Sequence, residues 1–456
     1  MHRKQRSGRD GGRGLRRGFR RLPSWRRLAS AEALRSSGQI MIGQAVALLG
    51  IFVAGVLVAR TLGPKSFGMY STAFALGSLI VGGGTVGIPL LILRRAAEGD
   101  LDRRILRKAA LLLVCFLAVA IVVTIGIAAA LFGGLEGAFA GSAAALFFAS
   151  NNFASLGRYV HVGRRSYFRS AATDICAGTL FPVLTYAALK LNFGVDGSLI
   201  AIATACCISC SIAWTRLPSL EPDGEPTHLS VRDGMSFNMF GLVSGGYGRI
   251  DTVTMLAVAG SGAAGYYSAA YRILGPFTLL RNATTIFYFS RLSAYCEDKD
   301  RWLSVRKRAR VIVTVTGVSG MAIFFAAAPS IIHAIYGSHY DQSIGPARVL
   351  LLSIVPWSFY ILEPTNLASV HLELRATAAT TLGLIVDFFL VIALGRHFGP
   401  IGGAWAWVIS ESAILIALKI ASRRISDRVP LAASDTAQPL CVPDLDGVVS
   451  PPRTVI

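Results

Sequence analysis

Residues 111–132 read LLLVCFLAVAIVVTIGIAAALF, a run interrupted by one threonine and carrying no charge. An amphipathic helix of a soluble protein needs a polar face to meet water, and this segment has none on any side. It is also long enough to cross a bilayer, whose hydrocarbon core of roughly 30 Å takes about 20 apolar residues at 1.5 Å each. Moving outward from it in both directions, the same kind of block recurs. The blocks lie at 39–60, 70–93, 109–132, 138–158, 168–190, 195–214, 237–259, 264–290, 310–333, 346–370, 376–396 and 400–420. The expected fold class is all-α: a polytopic membrane protein with twelve transmembrane helices. Gly, Pro, Ser and Asn inside several blocks fit that reading, because neighbouring helices in a membrane satisfy the backbone groups such residues free.

The formal charge of +20 would suggest nucleic acid or acidic partners in a soluble protein, but its placement matters more than its sum. Of the 45 Lys and Arg, 37 fall on the tail before Gln39, on or at the edges of every second loop after it, and at the C-terminal end from Lys419 onward. The alternate loops hold only Arg60, Lys65, Lys190, Arg348 and Arg396. Cationic loops resist translocation, so this alternation places both termini in the cytoplasm and argues against a nucleic-acid partner. The polybasic tail 1–36 reads as a disordered topogenic segment, able to gain about 1 kcal/mol per charge near an acidic leaflet of membrane lipid. It is no signal peptide, because its charged region and the apolar block that follows are both too long. Residues 421–456, with five prolines and little apolar content, read as a second disordered cytoplasmic tail.

A repeat runs through the blocks. Gly68, Tyr70, Ser71 and Ala73 align with Gly265, Tyr267, Ser268 and Ala270 at an offset of 197, and Phe193, Gly194 and Gly197 align with Phe398, Gly399 and Gly402 at 205. The expected organisation is two parallel six-helix lobes, 37–214 and 236–420, joined by the Pro-rich polar linker 215–235.

Several motifs carry no chemistry in this context. GSGAAG at 260–265 satisfies a dinucleotide-binding pattern, but no Asp or Glu follows before Glu297 to hold a ribose. No phosphate-cradling GxxxxGK[ST] loop occurs, so no nucleotide cofactor is implied. The run CCISC at 206–210 lacks His or carboxylate neighbours and lies in an apolar block, which disfavours a metal site. The seven His are scattered, and no nucleophile, base and orienting group stand together, so the chain is not read as an enzyme.

Charges at membrane depth are the informative residues. Arg249 and Asp251 lie in the seventh block, Arg272 and Arg281 in the eighth, Glu363, Asp387 and Glu411 in the tenth to twelfth, and Asp174 in the fifth. Each costs roughly 3 kcal/mol to insert even on a lenient scale, so they should pair or face a hydrated interior. Arg249 and Asp251 stand about 200° apart around a helix and so cannot simply neutralise one another. Two readings stay open: salt bridges between the arginines and the four acids of the same half, or a cavity whose guanidiniums hold an anionic headgroup by their planar donor fork. Asn151 and Asn152 are further candidates, either contacting substrate or joining helices. Asp251, Asp387 and Glu411 are candidates for coupling to protons or cations.

The stretch VARTLGPKSFGMYSTAFALGSLIVGGGTVGIPLLILRRAA at 58–97 resembles the signature of polysaccharide biosynthesis flippases in the multidrug/oligosaccharidyl-lipid/polysaccharide exporter superfamily. RIDTVTMLAVAGSGAAGYYSAAYRI at 249–273 is similar to the family's second-half counterpart, with Asp251 at the position of its frequent acidic residue. YGSHYDQSIGPARVLLL at 336–352 and FGPIGGAWAWVIS at 398–410 are similar to its later loop motifs. The eighth block departs from the pattern: Ser290-Arg291-Leu292-Ser293 stands where members usually carry Pro before a Leu-Ser pair. The resemblance implies a translocator of undecaprenyl-pyrophosphate-linked oligosaccharide across the bacterial inner membrane, for capsule, exopolysaccharide or O-antigen assembly. Polysaccharide polymerase and glycosyltransferases would then be its protein partners. A multidrug cation exporter of the same superfamily and a non-transporting scaffold for glycan synthesis are the alternatives.

Overall fold

The computed structural model describes residues 31–83, 87–98, 101–215, 217, 231–278, 299–368 and 373–422, and among these every regular element is a helix. In chain order the elements begin with α1 (Ala31–Ile80), α2 (Ile88–Glu98), α3 (Arg103–Phe132), α4 (Gly134–Gly163), α5 (Tyr167–Lys190), α6 (Gly194–Trp214) and α7 (Val231–Tyr271). They continue with α8 (Lys299–Tyr336), α9 (Ile344–Leu352), α10 (Ile354–Tyr360), α11 (Glu363–Ala368), α12 (Glu373–Leu390) and α13 (Arg396–Ala421). Short 3₁₀ turns at Arg272–Leu274 and Ser338–Ser343 and a π turn at Val391–Gly395 link them. Among the described residues, six helical stretches are long and apolar enough to cross a membrane. The Ser290 to Ser293 departure, most of the linker and most of both tails lie outside the described residues; residues 31–36 of the first tail, expected to be disordered, begin α1.

The turns obey one rule. The bends that separate the expected blocks on the sparsely charged side each contain a glycine in the left-handed region, at Gly63, Gly133, Gly194, Gly260, Gly337 and Gly399. Gly63 (φ 76°, ψ 179°) and Gly260 (φ 84°, ψ 173°) have nearly the same backbone geometry, and they stand 197 residues apart. Gly194 and Gly399, with φ of 62° and 59°, stand 205 apart. These are the offsets of the sequence repeat, so the repeat extends to backbone conformation. A side chain with a Cβ would strain each of these turns.

Two expected spans are not continuous. The second, 70–93, grows directly out of the first through Gly63 and Pro64, stops after Ile80 and resumes at Ile88. Glycine is costly in a helix interior, and Gly82 and Gly83 stand at the interruption. The tenth, 346–370, is three short helices, each with a proline in its first turn, where the missing amide does least harm.

Small residues set the helix spacing. A Cβ on Gly50 would strike the Gly178 backbone, one on Gly43 would meet Ala171, and one on Gly157 would meet Ala213, so α1 lies against α5, and α4 against α6, backbone to backbone. The outer faces stay apolar. On α3, Leu111, Val119 and Val122 are more than half exposed, as is Ile323 on α8. Apolar surface on this scale fits a hydrocarbon solvent rather than water.

Candidate functional site

The buried acids of the second half gather where α7, α10, α12 and α13 meet. Asp251, on the middle of α7, is fully buried. The Tyr267 hydroxyl donates to its Oδ2, and the Thr252 amide donates to Oδ1 at 2.7 Å. Asp387 on α12 is equally buried and lies within electrostatic reach of both Asp251 and Glu411. Ser410 Oγ stands 2.6 Å from the Tyr247 hydroxyl, 3.3 Å from Asp387 Oδ1 and 2.9 Å from the Trp407 carbonyl, so with Tyr247 donating to it the serine's one proton is shared between the carboxylate and that carbonyl. Asp387 Oδ2 has no hydrogen-bond partner among the described residues. Glu411 accepts from the Tyr360 hydroxyl. Tyrosine and serine hydroxyls can stabilise a carboxylate without neutralising it. The arrangement is thus a dry, acid-rich cluster able to take up a proton or a small cation.

The arginines lie elsewhere. The half-buried Arg249 guanidinium sits 5.8 Å from the centre of the Phe74 ring, and Arg272 sits 5.0 Å from that of Phe67, both rings belonging to α1. Arg272 also reaches the backbone at Gly55, where a Cβ would collide with its guanidinium. Among the described residues, no carboxylate lies within salt-bridge distance of either arginine. The salt-bridge reading of Arg249 and Arg272 therefore finds no partner there, and the acids expected to serve it are held by hydroxyls or by other cations. Arg281 lies outside the described residues. A guanidinium over an aromatic face keeps its donors available to a ligand while the ring stabilises its charge.

Glu363 has a different role from that expected of it. Arg306 donates to both of its oxygens at 2.8 and 3.1 Å, and Arg310 donates at 2.6 Å, so it is clamped between two cations of α8. In the first half, Arg158 pairs with Asp174 and donates to Asn151 Oδ1 at 3.3 Å. Asn152 Nδ2 donates to the Val81 carbonyl at 2.8 Å, where α1 ends. Both asparagines are thus engaged by protein. Arg158, Arg306 and Arg310 had read only as topogenic loop charges, because each falls at the edge of an apolar block, beside other basic residues. Sequence reasoning also passed over Tyr247, Tyr267, Tyr360 and Ser410. A tyrosine or serine in an apolar block 16 to 51 residues from its acid leaves no local signal.

A family profile described as polysaccharide biosynthesis protein matches residues 57–345. Among solved structures, the chain is similar to an inward-facing multidrug resistance MATE family transporter of the MOP superfamily, with a TM-score of 0.68 and 16% identity over 90% of this chain and 100% of that one. It is also similar to a MOP superfamily transporter from Pyrococcus furiosus, whose binding pocket is described as of reverse polarity (TM-score 0.61, 16% identity, 87% of this chain and 96% of that one). An outward-facing MATE transporter of the superfamily gives a TM-score of 0.60 at 16% identity, over 87% of this chain and 96% of that one. At such identities the likeness establishes the fold. No curated protein matches the chain in sequence.

Proposed function

The chain belongs to the polysaccharide biosynthesis protein family, and from that premise we propose that it is a flippase. Its cargo would be an undecaprenyl-pyrophosphate-linked oligosaccharide, moved from the cytoplasmic to the outer leaflet of a bacterial inner membrane. The observation that carries this reading is the separation of charges. Arg249 and Arg272 stand on aromatic rings with no carboxylate partner among the described residues, while Asp251, Asp387 and Glu411 are withdrawn into a hydroxyl-lined cluster. Guanidiniums held outside ion-pair contact suit a diphosphate headgroup, and they would repel the amphiphilic cations that a drug pump carries. The sugar would occupy the hydrated interior while the isoprenoid tail stays in hydrocarbon. Rocking of the halves 37–214 and 236–420 about the linker 215–235 would present the headgroup to each side in turn.

No nucleotide loop is present in the sequence, so the driving force in this reading is an ion gradient. The cation or proton would enter at Asp387, whose Oδ2 has no partner among the described residues, with Asp251 and Glu411 tuning the site. The same cluster favours a second reading, cation-coupled drug export, and one experiment separates the two. Deletion of the gene should leave lipid-linked oligosaccharide on the cytoplasmic side and reduce surface glycan, with unchanged sensitivity to cationic dyes. Arg249→Ala and Arg272→Ala should insert normally and fail to restore the glycan. Dye hypersensitivity with normal surface glycan in the deletion strain would overturn the flippase reading and establish the drug pump.

A further inference from the structure

The face that carries Gly63, Gly260 and Gly337 is closed by an exchange of helix ends between the two halves. α8 finishes at Tyr336, and Gly337 turns the chain back with its amide on the His333 carbonyl at 2.9 Å. The carbonyls of Ala334 and Ile335 are then left in the last turn, where a helix has no amides to offer and carries the negative end of its dipole. Arg60 supplies both missing donors from the first half: its Nε donates to the Ile335 carbonyl at 2.7 Å, and a terminal guanidinium nitrogen donates to that of Ala334. The return contact comes from the turn after α8. Tyr340, fully buried, donates its hydroxyl at 3.1 Å to the Ala59 carbonyl, in the last turn of α1 before the break at Gly63. Burial holds the Tyr340 phenol above its ordinary range, so it stays a proton donor.

Two further features make this closure tight. Phe67 packs against Tyr336 and Tyr340 at centroid distances of 6.1 and 6.2 Å, and Tyr266 meets Tyr340 at 6.0 Å. The segments after the two matched turns touch through backbone alone: a Cβ on Gly68 would strike the Ser261 carbonyl, and one on Gly265 would strike that of Pro64. The glycine contacts are symmetric packing, since Pro64 and Ser261 also stand 197 residues apart. The Arg60 and Tyr340 bonds are not, for they join α1 to the α8 end at one place.

We propose that Arg60 and Tyr340 form the latch of this face, which the distribution of basic loops makes the outer one. Each residue caps a helix end of the opposite half, so the two helix ends lose their donors together when the halves part on this side. Both acceptors are backbone carbonyls and Arg60 lies at the surface, so on opening water takes over the partners of each group. The closed state is thereby favoured without being locked. The proposal adds a device to the transporter reading and rests on that reading only for the need to open.

The test is a distance measurement made without cargo, so its outcome does not depend on which molecule is carried. Lys65→Cys and Gln342→Cys, both at exposed positions on either side of the latch, are introduced into a full-length chain whose seven native cysteines have been replaced. They are spin-labelled, and pulsed electron paramagnetic resonance distances are recorded in lipid nanodiscs. Arg60→Ala should raise the ratio of long to short distances on the order of tenfold, as loss of a charge-assisted pair of hydrogen bonds implies. Tyr340→Phe should raise it several-fold, and Arg60→Lys should fall between Arg60→Ala and the parent. Tyr340→Phe removes a single oxygen and keeps the aromatic packing, so it decides the matter if Arg60→Ala does not fold. An increase in either variant supports the latch, and unchanged distributions in every variant that folds overturn it.

Discussion

The buried acid of residues 37–214 and those at the centre of 236–420 are stabilised by different means, although Glu363 of the second half is clamped by Arg306 and Arg310. In the first half the acid Asp174 has a cation, Arg158, on the neighbouring helix, and Asn151 completes the arginine's contacts. At the centre of the second half, among the described residues, Asp251 and Asp387 accept from hydroxyl and amide donors, and Arg249 and Arg272 stand over aromatic rings. A neutralised pair is rigid and chemically silent, because its charge cannot change without leaving the partner uncompensated. A carboxylate held by hydroxyls can gain a proton or a cation and keep its neighbours. By this comparison the first half is the frame and the second half holds the group able to change state.

The largest effect that would test this contrast is expected in the frame. Arg158→Ala leaves Asp174 buried without its cation and should destabilise the protein by about 3 kcal/mol, read as a lowered midpoint of thermal unfolding in detergent. An Arg158→Met, Asp174→Leu pair should recover most of it. Failure of the double variant to recover would mean that the pair does more than neutralise itself. Next in size, Asn152→Leu removes the donor to the Val81 carbonyl, just past the end of α1, and should cost about 1 to 2 kcal/mol. A smaller loss, about 1 kcal/mol each, is expected for Gly63→Ala and Gly260→Ala. Equal costs at the two would match their shared backbone geometry; a twofold inequality would set the turns apart.

The smallest change in stability is expected at the centre of the second half. Asp387→Asn removes a charge that no cation compensates among the described residues, so unfolding should move little or shift upward, while glycan export is lost. A destabilisation as large as that of Arg158→Ala would show that Asp387 has a structural cation partner, and the contrast between the halves would fail.

Much of the architecture was legible along the chain because hydropathy and charge are local properties. Residues 111–132 exclude a soluble helix without reference to any neighbour, and the alternation of basic loops depends on position alone. The repeat was legible too, since Gly68 and Gly265 follow the matched turns at Gly63 and Gly260 and make close backbone contacts that a side chain would block. The breaks were harder: Gly82 and Gly83 do interrupt a helix, but glycine elsewhere in α1, at Gly43 and Gly50, sits inside an unbroken one. Whether a glycine breaks a helix or lets another approach depends on what lies across from it.

The sequence by itself determined the fold class, the turns and the residues whose charge is costly at membrane depth. Only the tertiary structure decided who meets whom. Three arginines at membrane depth, Arg249, Arg272 and Arg281, were candidate partners for Glu363, yet it pairs with Arg306 and Arg310, 57 and 53 residues away. Asn152 went to a carbonyl 71 residues away, and Arg60 to carbonyls 274 and 275 away. The energy of an ion pair or hydrogen bond falls off within a few ångströms and depends on angle, so it is fixed by helix packing. Nothing in the spacing of residues along one chain encodes it.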